Sequence, residues 1–333
     1  MLIRITAVIL CTIALSAISP AFAEERYTPY DEVTPSPLSL FVDQKTWFST
    51  GDNKWNIADV DGAPNILSEL EYLGLESEVV EISGGIRSSA GTFTLRYGFG
   101  SMHDGTYRDS DYNSDNRQDI FSLSTGDADG KDWNDLYYFN IEYSYRFFSR
   151  KVNWGTISTY LGVIAGYQGW HEEITMTNGF QEVCNLPCTG GTGPFAGLNS
   201  RYTFDWRSLF FGLEGAIPLY RGLFLKGNTL FIPYTSYSGE GVWNLRTDFK
   251  QNPSFTHEAD GGYGVGIDAS VGYRIYESFG IEGGYRYWYM KSDAGTDTTF
   301  FSDGAILTTR FNEAVSERQG AFLELTYIFY RLF

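Results

Sequence analysis

Positive charge is scarce in this chain. Its 333 residues carry 24 Lys and Arg against 41 Asp and Glu, a formal charge of −17. That balance excludes a nucleic-acid binder, which needs cations to neutralise phosphates. Cysteine is nearly absent, with 3 residues, and histidine equally so, also with 3. No spacing of these residues matches a zinc site, and neither a Gly-rich phosphate loop nor a G-x-S-x-G turn occurs. After the first two dozen residues no run of 18 apolar residues occurs, which excludes membrane-spanning helices. Proline is infrequent, at 10 residues. What the chain has instead is 24 Tyr, 25 Phe and 37 Gly, a composition suited to strands and too apolar for disorder.

Residues 1–23 read as a secretory signal peptide: Arg4, then an apolar run from Ile5 to Ile18, then Ala21-Phe22-Ala23 as the cleavage pattern. Residues 24–37 read as a periplasmic lead-in. From 38 to 333 the pattern is period-2 alternation. In 262–275 the apolar positions are Tyr263, Val265, Ile267, Ala269, Val271, Tyr273 and Ile275; Gly, Ser, Asp268 and Arg274 lie between them. In 137–147, Tyr137, Phe139, Ile141, Tyr143, Tyr145 and Phe147 alternate with Asn140, Glu142, Ser144 and Arg146. Large rings on one face and small or charged groups on the other match a membrane barrel, rings outward. The expected fold is all-β, a ten-stranded antiparallel transmembrane β-barrel in the bacterial outer membrane, in contact with outer-membrane lipid.

The expected strands are 38–50, 65–87, 91–111, 133–149, 154–176, 199–218, 222–245, 258–276, 279–296 and 313–333. Tight connections at 88–91, 150–153, 219–221 and 277–278 alternate with long ones at 51–64, 112–132, 177–198, 246–257 and 297–312. Short turns face the periplasm in such barrels, so both termini are periplasmic and five loops face outward. Phe333 ends the chain as the terminal aromatic of a last strand. Ten strands enclose little space. Inward charges of both signs, among them Glu142, Arg146, Lys226, Arg274, Glu282 and Arg286, are expected to pair across the lumen and close it.

Four stretches resemble the omptins, ten-stranded outer-membrane endopeptidases. They are ILSELEYLGLESEVVEISGGI (66–86), GSMHDGTYRDSDY (100–112), AGYQGWHEE (165–173) and YGVGIDASVGY (263–273). Omptin chemistry sets an Asp pair against an Asp–His pair, and between them they activate a water. The resemblance places Asp109 and Asp111 on the Asp-pair positions. Strict alternation from an outward Phe99 would turn both out of the barrel; a bulge near Gly100 or Gly105 would turn them in. On the other wall the Asp-x-His positions hold Asn244 and Arg246. Arginine stays protonated and cannot act as a base. His257 is the candidate substitute, with Asp260 or Asp248 to orient it; His103 is a weaker candidate, and His171 reads as a rim residue. The resemblance also implies lipopolysaccharide on the outer wall of the fifth strand, where Tyr167 matches and Gly169 and His171 depart from the pattern.

Two smaller signals stand outside that scheme. Cys184 and Cys188 suit a local disulfide in an oxidising compartment. Asp127, Asp129 and Asp132 form a calcium candidate of hard oxygen ligands without the EF-hand order. Three function classes follow: a non-proteolytic surface binding or structural barrel, an endopeptidase using Asp109, Asp111 and a relocated His257, or a small channel. Acidic outer loops imply attraction to cationic peptides or proteins.

Overall fold

The computed structural model describes residues 38–88, 91–150 and 157–329. The leader, the lead-in and Phe333 lie outside the described residues. The strands are β1 (Leu38–Ala58), β2 (Asn65–Ser88), β3 (Gly91–Met102), β4 (Thr106–Ser114), β5 (Gln118–Asp129), β6 (Leu136–Arg150), β7 (Thr159–Cys184), β8 (Gly193–Pro194), β9 (Ser200–Tyr220), β10 (Leu223–Val242), β11 (Phe255–Asp260), β12 (Gly262–Arg274), β13 (Phe279–Ser292), β14 (Gly295–Phe300) and β15 (Ile306–Phe329). No helix occurs among the described residues.

β3–β4, β5–β6, β11–β12 and β13–β14 are each one interrupted stave, and β8 is a two-residue appendage on β7. That leaves ten antiparallel staves. The ring closes because β1 pairs with β2 on one side and β15 on the other. Closure gives every strand two neighbours, as a backbone in lipid requires.

Outward positions carry Leu95, Tyr97, Phe139, Ile141, Tyr143, Val163, Leu209, Phe211 and Leu213, all exposed, which makes the apolar belt. The β9–β10 connection is the two-residue turn Arg221–Gly222, with φ of 40° and 84°. Two positive φ values are what a tight hairpin of correct twist needs.

The staves run longer than the alternation implies. Residues 112–132 are mostly strand, with β4 and β5 joined around Asp115–Arg117, and β7, β14 and β15 extend into 177–184 and 297–312. Above the membrane both faces of a strand are polar, so period 2 vanishes from a sequence such as QDIFSLSTGDAD while the ladder continues. β2 has 24 residues, roughly 80 Å of strand at ~3.3 Å per residue, against the roughly 9–11 residues that cross a bilayer. The barrel stands well above the outer leaflet.

The lumen is filled. Glu81 is its hub: Arg286 Nη1 lies 2.8 Å from its Oε2, Arg96 Nη1 3.2 Å from its Oε1, and Tyr138 Oη donates to Oε2 at 2.5 Å. Arg96 also pairs with Glu142 at 2.6 Å, and Arg286 with Asp268 at 2.9 Å. Lys45 pairs with Glu324 at 3.0 Å, and Lys226 with Glu282 at 3.2 Å. Above this layer Tyr138, Trp170 and Trp288 stack, with centroids 4.9 and 4.4 Å apart. Above that, Arg318 and Glu172 pair at 3.1 Å, both almost fully buried. The expected cross-lumen pairing thus holds for Glu142, Lys226, Glu282 and Arg286. It fails for Arg146, which lies over the Tyr160 ring, while Arg274 donates to the Glu277 carbonyl beside its own turn. Both sit in the last rungs above the short turns, beyond the reach of the Glu81 layer.

Removing Glu81 leaves Arg96, Arg286 and Lys45, whose Nζ lies 3.9 Å from Glu81 Oε1, and Tyr138 without their shared acceptor. Glu81→Ala should therefore cost about 3–5 kcal/mol. The check is the denaturant midpoint of the folded barrel, followed by its heat-modified mobility; Leu323→Ala on the lipid face serves as comparison.

Candidate functional site

The Asp pair faces inward because the strands around it shift register. β1 and β2 run opposed until Gly51↔Leu75, and the next matched pair is Asn53↔Tyr72. β2 thus holds one extra residue at Leu73–Gly74, with Gly74 at φ 64° and its N–H bonded to Asp52 Oδ1. Below the bulge Leu75, Val79 and Glu81 are buried inside; above it Leu70 and Tyr72 are. The next stave breaks at the same height, between Met102 and Thr106, held by His103 N–H to the Glu76 carbonyl and Glu76 N–H to the Asp104 carbonyl. The inward side chains change from Met102 to Tyr107, then Asp109 and Asp111. The structure therefore has the bulge that the Asp pair needs, next to Gly105.

Asp109 lines a cleft of about 140 Å³ with Tyr107, Ser124, Met176, Phe195, Leu198, Ser200, Trp243, Leu245 and Arg246. Burial, and repulsion from Asp111, hold the Asp109 carboxyl well above the usual carboxylate range, while the Arg246 charge works against that rise. Asp111 is raised by burial, against the hydrogen bonds of Ser68 and Ser122 and the field of Arg246. Both carboxyls are half-buried, and at Asp109 the like charge of Asp111 adds to the effect of burial.

The facing wall follows β10. Arg246 grips Asp248 with two hydrogen bonds, Nε–Oδ1 at 2.9 Å and Nη2–Oδ2 at 2.7 Å. Its guanidinium lies 3.9 Å from the Phe249 ring centroid. Asn244 accepts from Asn199 N–H and Ser200 Oγ and donates to the Gly197 carbonyl, so it ties the loop after β8 to the wall.

Beneath the cleft lies an aromatic floor that sequence reasoning missed. Trp243 meets Phe255 edge-on at 4.6 Å, and Phe255 packs on Trp55 and Tyr202. His257 is sealed in this floor with no exposed surface. It stacks on Phe311 at 4.5 Å and meets Trp55 at 4.5 Å. Its Nδ1 lies 2.8 Å from Tyr202 Oη, which in turn bonds Tyr237 Oη at 2.6 Å. Its Nε2 lies 3.1 Å from Asp297 Oδ1, outside good hydrogen-bond alignment. Burial lowers the His257 pKa, with Asp297 opposing, so the ring is neutral at pH 7. The acid beside His257 is thus Asp297, and neither Asp260, which takes the Tyr234 hydroxyl, nor Asp248, which holds Arg246. Asp297 went unseen because 297–312 lost its alternation. Tyr202, which touches His257, also stacks on Tyr72 of β2 at 6.3 Å. Tyr72 Oη, Tyr107 Oη and Trp55 Nε1 are buried beside them without a hydrogen-bond partner.

The remaining candidates lie elsewhere. His171 stacks on Tyr137 at 4.4 Å and pairs with Asp205 at 2.9 Å, on positions that alternate with the inward Trp170 and Trp206. Tyr167 and Gly169 share that outward face, and a Cβ at Gly169 would meet the Phe139 ring. His103 holds the β3–β4 break. Cys184 and Cys188 are bridged at the top of β7. Asp127 and Asp129 are strand residues of β5, and Asp132 follows in the turn; among the described residues no three His, Cys, Asp or Glu gather as metal ligands.

A raised folded-state pKa means that the folded chain holds the extra proton. The associated stability is fully present below the ordinary carboxyl range and is lost as pH rises through the raised value. Asp109→Asn should therefore stabilise the barrel at pH 7 and change nothing below about pH 4. Denaturant midpoints at the two pH values test this, and an equal effect at both would refute it.

No curated protein sequence matches the chain. The family described as Pom, Protochlamydia outer membrane protein, matches residues 48–329. Among solved structures, the outer membrane protease OmpT from Escherichia coli has a TM-score of 0.75 at 12% identity, over 90% of this chain and 99% of that one. The translocator domain of the autotransporter NalP from Neisseria meningitidis has a TM-score of 0.36 at 9% identity, over 97% of this chain and 96% of that one. A FadL homologue from Pseudomonas aeruginosa has a TM-score of 0.31 at 8% identity, over 87% and 90%. At such identities the likeness to OmpT is one of fold. The chain belongs to the Protochlamydia outer membrane protein family and is an outer-membrane β-barrel of omptin-like fold.

Proposed function

We propose that the protein is a non-proteolytic surface barrel whose outer cleft binds and does not cut. The observation that carries this reading is Arg246 lining the same cleft as Asp109. A hydrolytic site of this geometry needs a proton acceptor facing the Asp pair, and a guanidinium cannot be one. The candidate histidine, His257, is enclosed by rings and neutral, and its polar neighbours are Tyr202 and Asp297. The cleft instead combines an apolar side, made by Met176, Phe195, Leu198, Trp243 and Leu245, with a charged end. That combination suits a ligand with an apolar body and a polar head. The acidic rim favours cationic peptides as visitors.

The competing class is an endopeptidase built on Asp109, Asp111 and His257. The folded chain in detergent, with and without lipopolysaccharide, is offered quenched-fluorescence peptides with basic sites. No cleavage is expected, with binding that weakens as salt rises. Cleavage abolished in both Asp109→Ala/Asp111→Ala and His257→Ala would overturn the proposal and establish the protease.

The channel class has the lumen against it, since ion pairs and stacked rings fill successive levels. Planar-bilayer recordings of the folded barrel should be silent at neutral pH. Steady ohmic steps would move the assignment to a channel.

A further inference from the structure

The lumen pairs its cations with care, and two arginines are left out. Lys45, Arg96, Lys226, Arg286 and Arg318 each have a carboxylate oxygen within 3.2 Å. Arg87 on β2 and Arg146 on β6 have none within ion-pair distance among the described residues. They flank Thr92 of β3, the direct register partner of Arg87. Arg146 Nη2 reaches Thr92 Oγ1 at 3.5 Å. Arg87 lies over the Phe41 ring at 5.1 Å and Arg146 over Tyr160 at 4.4 Å, so each guanidinium plane rests on an aromatic face. Glu214 is the carboxylate whose field reaches Arg146, from beyond ion-pair distance. The Nε atoms of both arginines are buried and have no hydrogen-bond partner. Both side chains are half-buried, and each buried Nε lacks the carboxylate acceptor that Nε has in Arg96, Arg286 and Arg318.

Two like charges side by side are unfavourable unless an anion lies between them. A guanidinium presents a rigid fork that matches oxyanions, and its donors need acceptors when buried. Two forks from the staves on either side of β3 ask for more acceptor oxygens than the two of a carboxylate. A phosphate group, with at least three terminal oxygens, can serve both forks at once. The residues face the lumen and not the lipid, and they stand in the last rungs above the short turns. The approach is therefore from the periplasm.

We infer that Arg87, Arg146 and Thr92 form a phosphate-binding site at the periplasmic mouth of the barrel, separate from the outer cleft. The site takes a soluble phosphate group, the arginines bridging it while Phe41 and Tyr160 hold the guanidinium planes. It stands independently of the proposed outer-cleft function.

The test is isothermal titration of the folded full chain in detergent with inorganic phosphate at physiological ionic strength. Saturable binding is expected for the unaltered protein. Arg87→Met and Arg146→Met should each weaken it about tenfold, the loss of one charge-assisted contact of roughly 1.4 kcal/mol. The double variant should show none. Arg310→Met, an exposed change of the same charge on the upper part of β15, should bind as the unaltered protein does. Heat-modified mobility verifies that each variant is folded, which the relief of like-charge repulsion favours. No saturable binding to the unaltered protein, or undiminished binding to the double variant, would overturn the inference.

Discussion

A strand in a bilayer has no water to satisfy its N–H and C=O groups, and an edge strand leaves half of them unpaired. The register of β1 with β15, from Leu40↔Phe329 to Ile57↔Phe311, removes the edge along nearly the whole of both strands. Every other feature depends on that closure. A closed ring has an inside and an outside, so alternation along each stave becomes a division between lumen and lipid. The outside can then be rings and branched chains, and the inside can carry charge.

A small ring makes that charge a packing problem. Charges withdrawn from water must find partners, and ten staves bring opposite walls near enough for the partners to be each other. Glu81 draws Arg96 from the adjoining stave and Arg286 from across the ring, and Tyr138 closes the set. Trp170 and Trp288 lie on the layer above, and Arg318 with Glu172 on the next. The result is a solid post inside the belt. It supports a wide upper section that stands in water, where side chains have freedom to serve a ligand.

The upper section reaches its candidate site through one inserted residue. The bulge at Leu73–Gly74 and the break at His103–Gly105 lie side by side on neighbouring staves, and each reverses which face looks inward. Without them Tyr107, Asp109 and Asp111 would look outward. With them Asp109 faces the cleft that Arg246 lines from the far wall, above a floor of rings that encloses His257. The floor and the pair are distinct compartments: one is dry and aromatic, the other charged and half-open.

The sequence by itself determined the barrel, its aromatic belt and the sense of its turns. Period 2 is local, and one lipid-facing surface demands apolar residues at every second position. It lost track in 112–132 and 297–312, because polar residues such as Asp297 and Thr309 fill buried positions there and no apolar–polar contrast remains to write the pattern. Asp109 and Asp111 were legible as a motif, but their direction was not, since one extra residue inverts parity and register is a property of paired strands. Asp297 beside His257, Arg246 in the field of the acids, and the unpaired Arg87 and Arg146 were decided only by tertiary structure. Each depends on which side chains from distant parts of the chain share a height inside the ring, and the closure and tilt of the barrel set that height.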